Sequence, residues 1–183
     1  MYRDNSLMPK EAVRLTVLGS LVQGGPLRYG DLAAAVRHFT GRIVGPSLDL
    51  MGTSLEMLRC EGLVEALDGT GMEDNALLGL TAAGHAAFRT LMRATVRAPS
   101  SDDLNKLVVT LKLRFLHLIE PAEQCEQVEA LTGLYEMELA RLRDLKARHS
   151  GDPGLLGAWL DHDMAMVEAR LAWFSGLLTR LPY

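Results

Sequence analysis

The sequence predicts a mainly α-helical protein in two parts, with one short β-hairpin. Apolar residues recur at helical spacing through most of the 183 residues, and aromatic residues make up only 5% of them. A core built from Leu, Val, Met and Ala favours helices over sheets. The exception is the segment DGTGMEDN at 68–75, a turn-forming stretch between two short apolar runs at 63–67 and 76–80. That arrangement predicts a β-hairpin.

Three helices are predicted before the hairpin. Pro9 begins the first helix, and the Gly-Gly-Pro run at 24–26 ends it. A short second helix follows Gly30 and is predicted to break at Thr40. The third helix is predicted from about 46 to 60, because four apolar residues share one face at three- and four-residue spacing: Leu48, Met51, Leu55 and Leu58.

A fourth helix is predicted after the hairpin, with Thr81 as its N-cap. Three helices, a hairpin and a further helix are, in that order, typical of a winged helix-turn-helix domain. The hairpin is then the wing. The polar segment APSSDD at 98–103 is the clearest composition break, so the predicted boundary separates a winged helix-turn-helix domain at 1–97 from a helical domain at 104–183.

The second part is predicted to be a long-helix dimerisation domain. Its helical segments span 104–118, about 121–149 and the region after Pro153. Long helices that are apolar on one side must bury that side, and a second copy of the chain is the simplest partner. The last helix carries the stripe predicted to pair in a homodimer: Trp159, Val167, Leu171, Phe174 and Leu178.

Composition and motifs exclude several classes of function. The net charge of −4 argues against a protein that coats nucleic acid without specificity. No apolar run approaches the roughly 20 residues of a membrane span, so no membrane partner and a cytoplasmic location are expected. The cluster Asp161, His162 and Asp163 is interpreted as solvated charge. Because neither a nucleophile with an oriented base nor the HExxH spacing occurs, we expect no enzyme activity, metal or cofactor.

The ordered motifs resemble those of PadR-type transcriptional regulators. The segments that carry the resemblance are VLGSLVQGGPLRYGDLAAAV at 17–36, SLEMLRCEGLVEAL at 54–67, LTAAGHAAF at 80–88 and the helices of the second part. The resemblance covers nearly the whole chain in the same order. It implies a dimeric repressor that binds operator DNA, and some members of the family respond to phenolic or other aromatic small molecules.

Two features depart from the family pattern. Gly52 stands where the recognition helix of the family usually carries Tyr. The family's wing is usually rich in Arg, whereas the span 63–81 contains no Lys or Arg and has four acidic residues: Glu65, Asp68, Glu73 and Asp74. A wing lies along the phosphates, so acidic side chains there repel DNA.

Two sets of site residues are predicted. The first would contact DNA around the turn before the third helix and on that helix: Arg28, Arg37, His38, Arg42, Ser47 and Thr53. Alternatively, the arginines are ordinary solvated surface. The second set would form a pocket for a small aromatic effector and consists of Trp159, Trp173 and Phe115. The two tryptophans are fourteen residues apart and lie near one side of a helix, and residues placed in this way most often form a dimer core rather than a ligand pocket.

The sequence is consistent with two alternative functions. The first is a ligand-responsive, DNA-binding transcriptional repressor that acts as a homodimer. The second is a PadR-like offshoot that has lost operator binding and acts as a small-molecule-binding or biosynthetic accessory protein. The acidic wing favours the second function, and the full-length motif order favours the first.

Overall fold

The structure is a computed structural model that describes residues 9–44, 51–96 and 103–181. It confirms a mainly helical fold with a small antiparallel sheet. The elements are α1 (Pro9–Gly24), β1 (Leu27–Arg28), α2 (Tyr29–Val44), α3 (Met51–Cys60), β2 (Val64–Asp68), β3 (Leu77–Leu80), α4 (Ala82–Arg93), α5 (Asp103–Phe115), a 3-10 turn (Leu116–Leu118), α6 (Pro121–Arg148) and α7 (Leu156–Leu178).

The chain forms two compact units. Unit 1 contains α1 to α4, the sheet, α5 and the 3-10 turn, and unit 2 contains α6 and α7. The sequence predicts that 104–118 belongs to the second part, whereas α5 packs against α1 and α2 of unit 1. The reason is the apolar face of α5, whose Leu107, Leu111 and Phe115 are fully buried. The contact boundary within the described chain therefore falls at Ile119–Glu120 rather than before α5.

The predicted hairpin is present and forms the wing, defined here as residues 64–80. β2 and β3 pair antiparallel, with Val64 opposite Leu80 and an irregularity between Ala66 and Asp68. β1 adds a third strand on the other side of β3, which gives the order β1-β3-β2. This strand was not predicted, because two residues are too short to show the alternation that identifies a strand. The predicted N-cap is confirmed: the Thr81 hydroxyl accepts a hydrogen bond from Gly84 N at 3.0 Å.

The second helix is longer than predicted. The sequence predicts a break at Thr40, but α2 continues through Thr40 and Gly41 to Val44. Inside the helix the buried Thr40 hydroxyl donates to the Val36 carbonyl oxygen at 2.9 Å. This bond satisfies the polar group without ending the helix, so the predicted break is wrong. The third helix is described from Met51, and the predicted start at 46, with Leu48, lies outside the described residues.

Unit 2 is an antiparallel pair of long helices. Tyr135 of α6 stacks on Phe174 of α7 with ring centroids 5.4 Å apart. Arg143 pairs with Glu168 at 2.9 Å, and Lys146 of α6 pairs with Asp161. One apolar face of α6 is buried and includes Val128, Leu131, Tyr135 and Leu139.

The last helix carries two stripes at seven-residue spacing. Leu160, Val167 and Phe174 are buried, and Phe174 contacts α6. The preceding residues, Trp159, Met166 and Trp173, are 61%, 46% and 48% exposed. The two stripes are one residue apart, which is about 100° around a helix. The predicted dimer stripe is therefore wrong in part, because Val167 and Phe174 are already buried within a single chain.

Candidate nucleic-acid interface

The helix-turn-helix of unit 1 consists of α2 and α3, with the wing beside them. Leu55 and Leu58 of α3 are buried as predicted, at 3% and 0% exposure. They turn the opposite side of the helix outward, where Met57 is half exposed. In winged helix-turn-helix proteins this outward side is the one that enters the major groove. Glu56 lies beside it and is paired with Arg59 at 2.9 Å.

Asp74 organises the tip of the wing. Its carboxylate accepts hydrogen bonds from Thr70 N at 2.6 Å, the Thr70 hydroxyl at 2.9 Å and Gly71 N at 2.9 Å. The backbone hydrogen bonds from Gly71 and Thr70 are the largest cause that lowers the pKa of Asp74, to about 2. A carboxylate bonded in this way is a structural acceptor for the loop.

Asp68 has a similar role at the base of the tip. It accepts from Leu77 N at 2.6 Å and from the Arg28 guanidinium at 2.7 Å. The Leu77 backbone bond, followed by the Arg28 hydrogen bond, lowers the pKa of Asp68. Two of the four acidic residues in the predicted wing thus hold the hairpin together. Glu65 and Glu73 are exposed.

The wing is also tied to both helices of the motif. Arg59 of α3 donates to the Thr70 carbonyl. At the start of α2, Gly30 N donates to Asn75 Oδ1 at 2.7 Å, and Tyr29 N donates to the Ala76 carbonyl at 3.0 Å. Asn75 adopts a left-handed backbone conformation, with φ of 50°, which asparagine tolerates better than most residues. These bonds fix the position of the wing relative to α2 and α3.

The six predicted DNA contacts differ in their surroundings. Arg28 is exposed but paired with Asp68, whereas Arg37, His38 and Arg42 are exposed on α2. Neither Arg37 nor Arg42 forms an ion pair with any other described residue. Ser47 and the side chain of Thr53 lie outside the described residues.

The exposed basic residues of α2 occupy two sides of the helix. His38 and Arg42 are four residues apart and point away from the buried face formed by Leu32 and Val36. Arg37 lies on a different side, next to α3 and the wing, because it lines a cavity together with Leu55. The structure thus does not place all the predicted residues on one surface.

That cavity, called the wing cavity here, has a volume of about 260 Å³. It is lined by residues of α2, α3 and the wing tip: Tyr29, Gly30, Ala33, Arg37, Leu55, Met72 and Asn75. The Tyr29 side chain is buried, and its hydroxyl has no hydrogen-bond partner among the described residues. Burial, reinforced by the nearby Glu56 carboxylate, raises the pKa of Tyr29.

The wing cavity was not predicted from the sequence. The only local signal is the four-residue spacing of Tyr29, Ala33 and Arg37, which places them on one side of a helix. Leu55 and Met72 come from elements that only the tertiary fold brings next to that side.

The aromatic residues predicted to hold an effector belong to different units. Phe115 is fully buried in unit 1, where it contacts Phe88 edge to face with centroids 6.1 Å apart. Trp159 and Trp173 are exposed on α7 in unit 2. Their joint pocket stays a prediction.

Among the described residues, none of the helices is long and apolar enough to cross a bilayer. Within 9–44, 51–96 and 103–181, no three His, Cys, Asp or Glu side chains lie close enough to hold a metal ion.

Comparison with known proteins identifies the family. Residues 2–178 match the family model described as "Putative AphA-like transcriptional regulator". The chain therefore belongs to the AphA-like family of transcriptional regulators, and the resemblance to PadR-type regulators is confirmed. No curated protein matches the sequence.

Solved structures of Bacillus subtilis PadR are similar to this chain. The free protein is 14% identical, with 96% of this chain and 97% of that chain covered and a TM-score of 0.40. The complex with p-coumaric acid is 15% identical, with coverages of 92% and 98% and a TM-score of 0.40. The complex with operator DNA is 18% identical, with coverages of 93% and 99% and a TM-score of 0.38.

Proposed function

We propose that this chain is a ligand-responsive, DNA-binding transcriptional repressor that acts as a homodimer. The proposal rests on which charged side chains of the helix-turn-helix and the wing already have partners within the protein. Arg37 and Arg42 are exposed without a described ion-pair partner, while Asp68 and Asp74 are used inside the wing. Phosphate contacts require cations that are free to pair, because affinity arises from the counterions that they release.

The acidic wing is compatible with this proposal. Asp68 is neutralised locally by Arg28 at 2.7 Å, and Asp74 faces the backbone N–H groups of its own loop. The remaining repulsion comes from Glu65, Glu73 and Asp74, which are exposed; the hydrogen bonds to Asp74 hold its carboxylate in place but leave it charged. Arg37 and Arg42 are then the main positioning contacts, and the outward side of α3 supplies the contacts to bases.

The homodimer is assigned to the exposed stripe of α7. Trp159, Met166 and Trp173 repeat at seven-residue spacing, which is the spacing at which one helix packs along another. Large apolar side chains in a row on a surface mark interaction sites. A second copy of this stripe is an apolar partner of matching length. The aromatic effector predicted from the sequence is likewise a proposal, with Trp159, Trp173 and Phe115 as its first candidate site.

The alternative function is an accessory protein without operator binding. The observation that favours it is the absence of Lys and Arg from 63–81, where Glu65 and Glu73 remain exposed. Such a protein has no need for free cations on α2, whereas the proposed repressor depends on them.

A binding measurement separates the two functions. The unmodified protein is titrated with DNA from upstream of its own coding region and with random duplex, at about 50 mM salt, where a few phosphate contacts bind far more strongly than at physiological salt. The repressor is expected to bind its own region at micromolar concentration or tighter and to prefer it over random duplex. No detectable binding to either duplex would contradict the repressor and favour the alternative.

Variants then test the assigned contacts. Arg37→Ala and Arg42→Ala are each expected to weaken binding to both duplexes and to lower the slope of log affinity against log salt by about one. Arg89→Ala, which removes an exposed arginine of α4, is the matched control and should leave the slope unchanged. A changed sequence preference with an unchanged slope would contradict the role of phosphate contact.

A further inference from the structure

We infer that Met57 of α3 reads the 5-methyl group of a thymine in each half of the operator. The inference rests on the proposed function, because it assigns a base contact to a protein that binds operator DNA. Three observations support it: the exposure of Met57 on the outward side of α3, the pairing of its charged neighbours with each other, and the chemistry of a thioether side chain.

The outward side of α3 is uncharged where the structure describes it. Side chains are described for residues 55–60 of this helix, and among them only Met57 and Cys60 are exposed. These two residues are three positions apart and so share one side of the helix. A single exposed methionine is ordinary on a protein surface, but this one is 51% exposed on the side that enters the major groove.

The charged residues of the same segment already have partners. Glu56 and Arg59 pair with each other at 2.9 Å, so they place no net charge beside Met57. Arg59 also donates to the Thr70 carbonyl of the wing tip. A base contact by Arg59 therefore competes with the bonds that hold the wing to α3, whereas Met57 is available without any rearrangement.

A methionine side chain cannot read the hydrogen-bonding pattern of a base pair. Its sulfur is only a weak acceptor, and it has no donor. In the major groove each base presents hydrogen-bonding groups, and thymine alone adds an apolar group, the 5-methyl. Contact with any other base edge removes polar groups from water without a new hydrogen bond, which costs affinity. The chemistry of Met57 therefore selects thymine.

The size of the effect follows from the area that the contact buries. Burial of one methyl group is expected to raise affinity about fourfold. A homodimer on a two-fold symmetric operator makes the contact twice, so the two half-sites together contribute about 16-fold. Because the contact is uncharged, it releases no counterion and leaves the salt dependence of binding unchanged.

Deoxyuridine tests the contact, because it differs from thymidine only in lacking the 5-methyl group. The probe is the segment of the protein's own upstream DNA that footprinting shows to be bound, with its thymines replaced one at a time. In the wild type, replacement at one position in each half-site should weaken binding about fourfold. Met57→Ala should bind the unmodified segment about 16-fold more weakly and show no further loss at that position. Met57→Leu keeps an apolar contact and should keep the sensitivity.

A second base modification separates the methyl group from the rest of the thymine. Cytosine at the sensitive position should weaken binding. Its 5-methyl derivative restores the methyl group on a different base, so it should regain about fourfold in the wild type. Met57→Ala should gain nothing from this methylation. Equal gains in the two proteins would show that another part of the protein reads the methyl group.

Met137→Ala is the matched control, because it removes a similarly exposed methionine from α6. It should respond to deoxyuridine as the wild type does. Met57→Ala should keep the unfolding temperature of the wild type, since its side chain is exposed, and should keep the slope of log affinity against log salt. A lowered slope in Met57→Ala would overturn the contact, as would an equal loss with deoxyuridine at every position in the wild type and Met57→Ala.

The contact and the repressor fail in different ways. If the protein binds its upstream segment but its response to deoxyuridine does not depend on Met57, the contact is wrong and the repressor stands. If no duplex is bound even at about 50 mM salt, where phosphate contacts are strong, the repressor is wrong and the contact falls with it.

Discussion

The ring of Phe115 lies directly against the backbone of Gly19. A methyl group added at Gly19 would stand 2.4 Å from Phe115 Cε2, well inside normal contact. This close approach joins α1 to α5, and it explains why α5 belongs to unit 1. Only glycine leaves room for the ring at this point of α1.

Gly19→Ala is therefore expected to destabilise the protein, although alanine is the better helix former. Overpacking of a core costs about 1–3 kcal/mol, which exceeds the gain in helix propensity of up to about 1 kcal/mol. Denaturant unfolding measures the difference. Gly133→Ala on α6, where no atom lies within 4 Å of the added methyl, is the matched control and should be neutral or stabilising. A stable Gly19→Ala would contradict the described contact.

Lys112 is expected to make stability rise with pH in alkaline solution. Its side chain is 1% exposed and donates to the Met92 carbonyl, and burial lowers the pKa of Lys112 from 10.5 to about 8. Between these two values the unfolded chain is protonated and the native chain is not, so the free energy of unfolding increases as pH rises from about 8 to about 10.5. Across this range, deprotonation of the buried Lys112 should raise the free energy of unfolding by on the order of 3 kcal/mol.

The contribution of Lys112 is isolated by comparing unfolding of the wild type and Lys112→Met across that range. The variant should lack the rise, and Lys106→Met, at an exposed position on the same helix, should retain it. Parallel pH profiles for the wild type and Lys112→Met would rule out the assigned cause.

Asp74 is expected to control the order of the wing tip at acid pH. Its folded pKa of about 2 lies below the value of about 4 for an unfolded aspartate. Its stabilising contribution is therefore present above about pH 4 and is lost as the pH falls toward 2. The amide resonance of Gly71, which donates to Asp74 at 2.9 Å, should titrate with a midpoint near 2.

Asp74→Ala should speed hydrogen exchange at the Thr70 and Gly71 amides, because both lose their acceptor. Glu73→Gln alters the neighbouring exposed acid and is the control. If Glu73→Gln loosens the tip as much as Asp74→Ala does, the loop is held by general electrostatics rather than by these hydrogen bonds.

The exposed stripe of α7 is expected to be required for pairing. Replacement of Trp159 and Trp173 by Gln should reduce the mass measured by light scattering from twice 20.0 kDa to 20.0 kDa. Helical content should remain, because neither side chain is buried within the chain. Met137→Gln, on an equally exposed apolar residue of α6, should stay dimeric. A wild type that is monomeric at micromolar concentration would disprove the homodimer.

The sequence alone determined the helices, the hairpin, the Thr81 cap and the family. These features depend on local signals, such as apolar spacing, turn residues and ordered motifs, that the chain shows without its fold. The local signals failed at Thr40, where the sequence predicts a helix break. There the hydroxyl bonded to the Val36 carbonyl within the helix instead of ending it.

Only the tertiary structure decided what the apolar helix faces and the charged side chains contact. An apolar stripe shows that a helix must bury a side, but not whether α5 buries it in unit 1 or in unit 2. The four acidic residues of the wing cannot be told apart in the sequence, and all four are exposed. In the structure, Asp68 and Asp74 accept hydrogen bonds from their own hairpin. The wing cavity likewise exists only because α2, α3 and the wing tip meet in space. The partner of a side chain depends on through-space distance, which spacing along the chain does not contain.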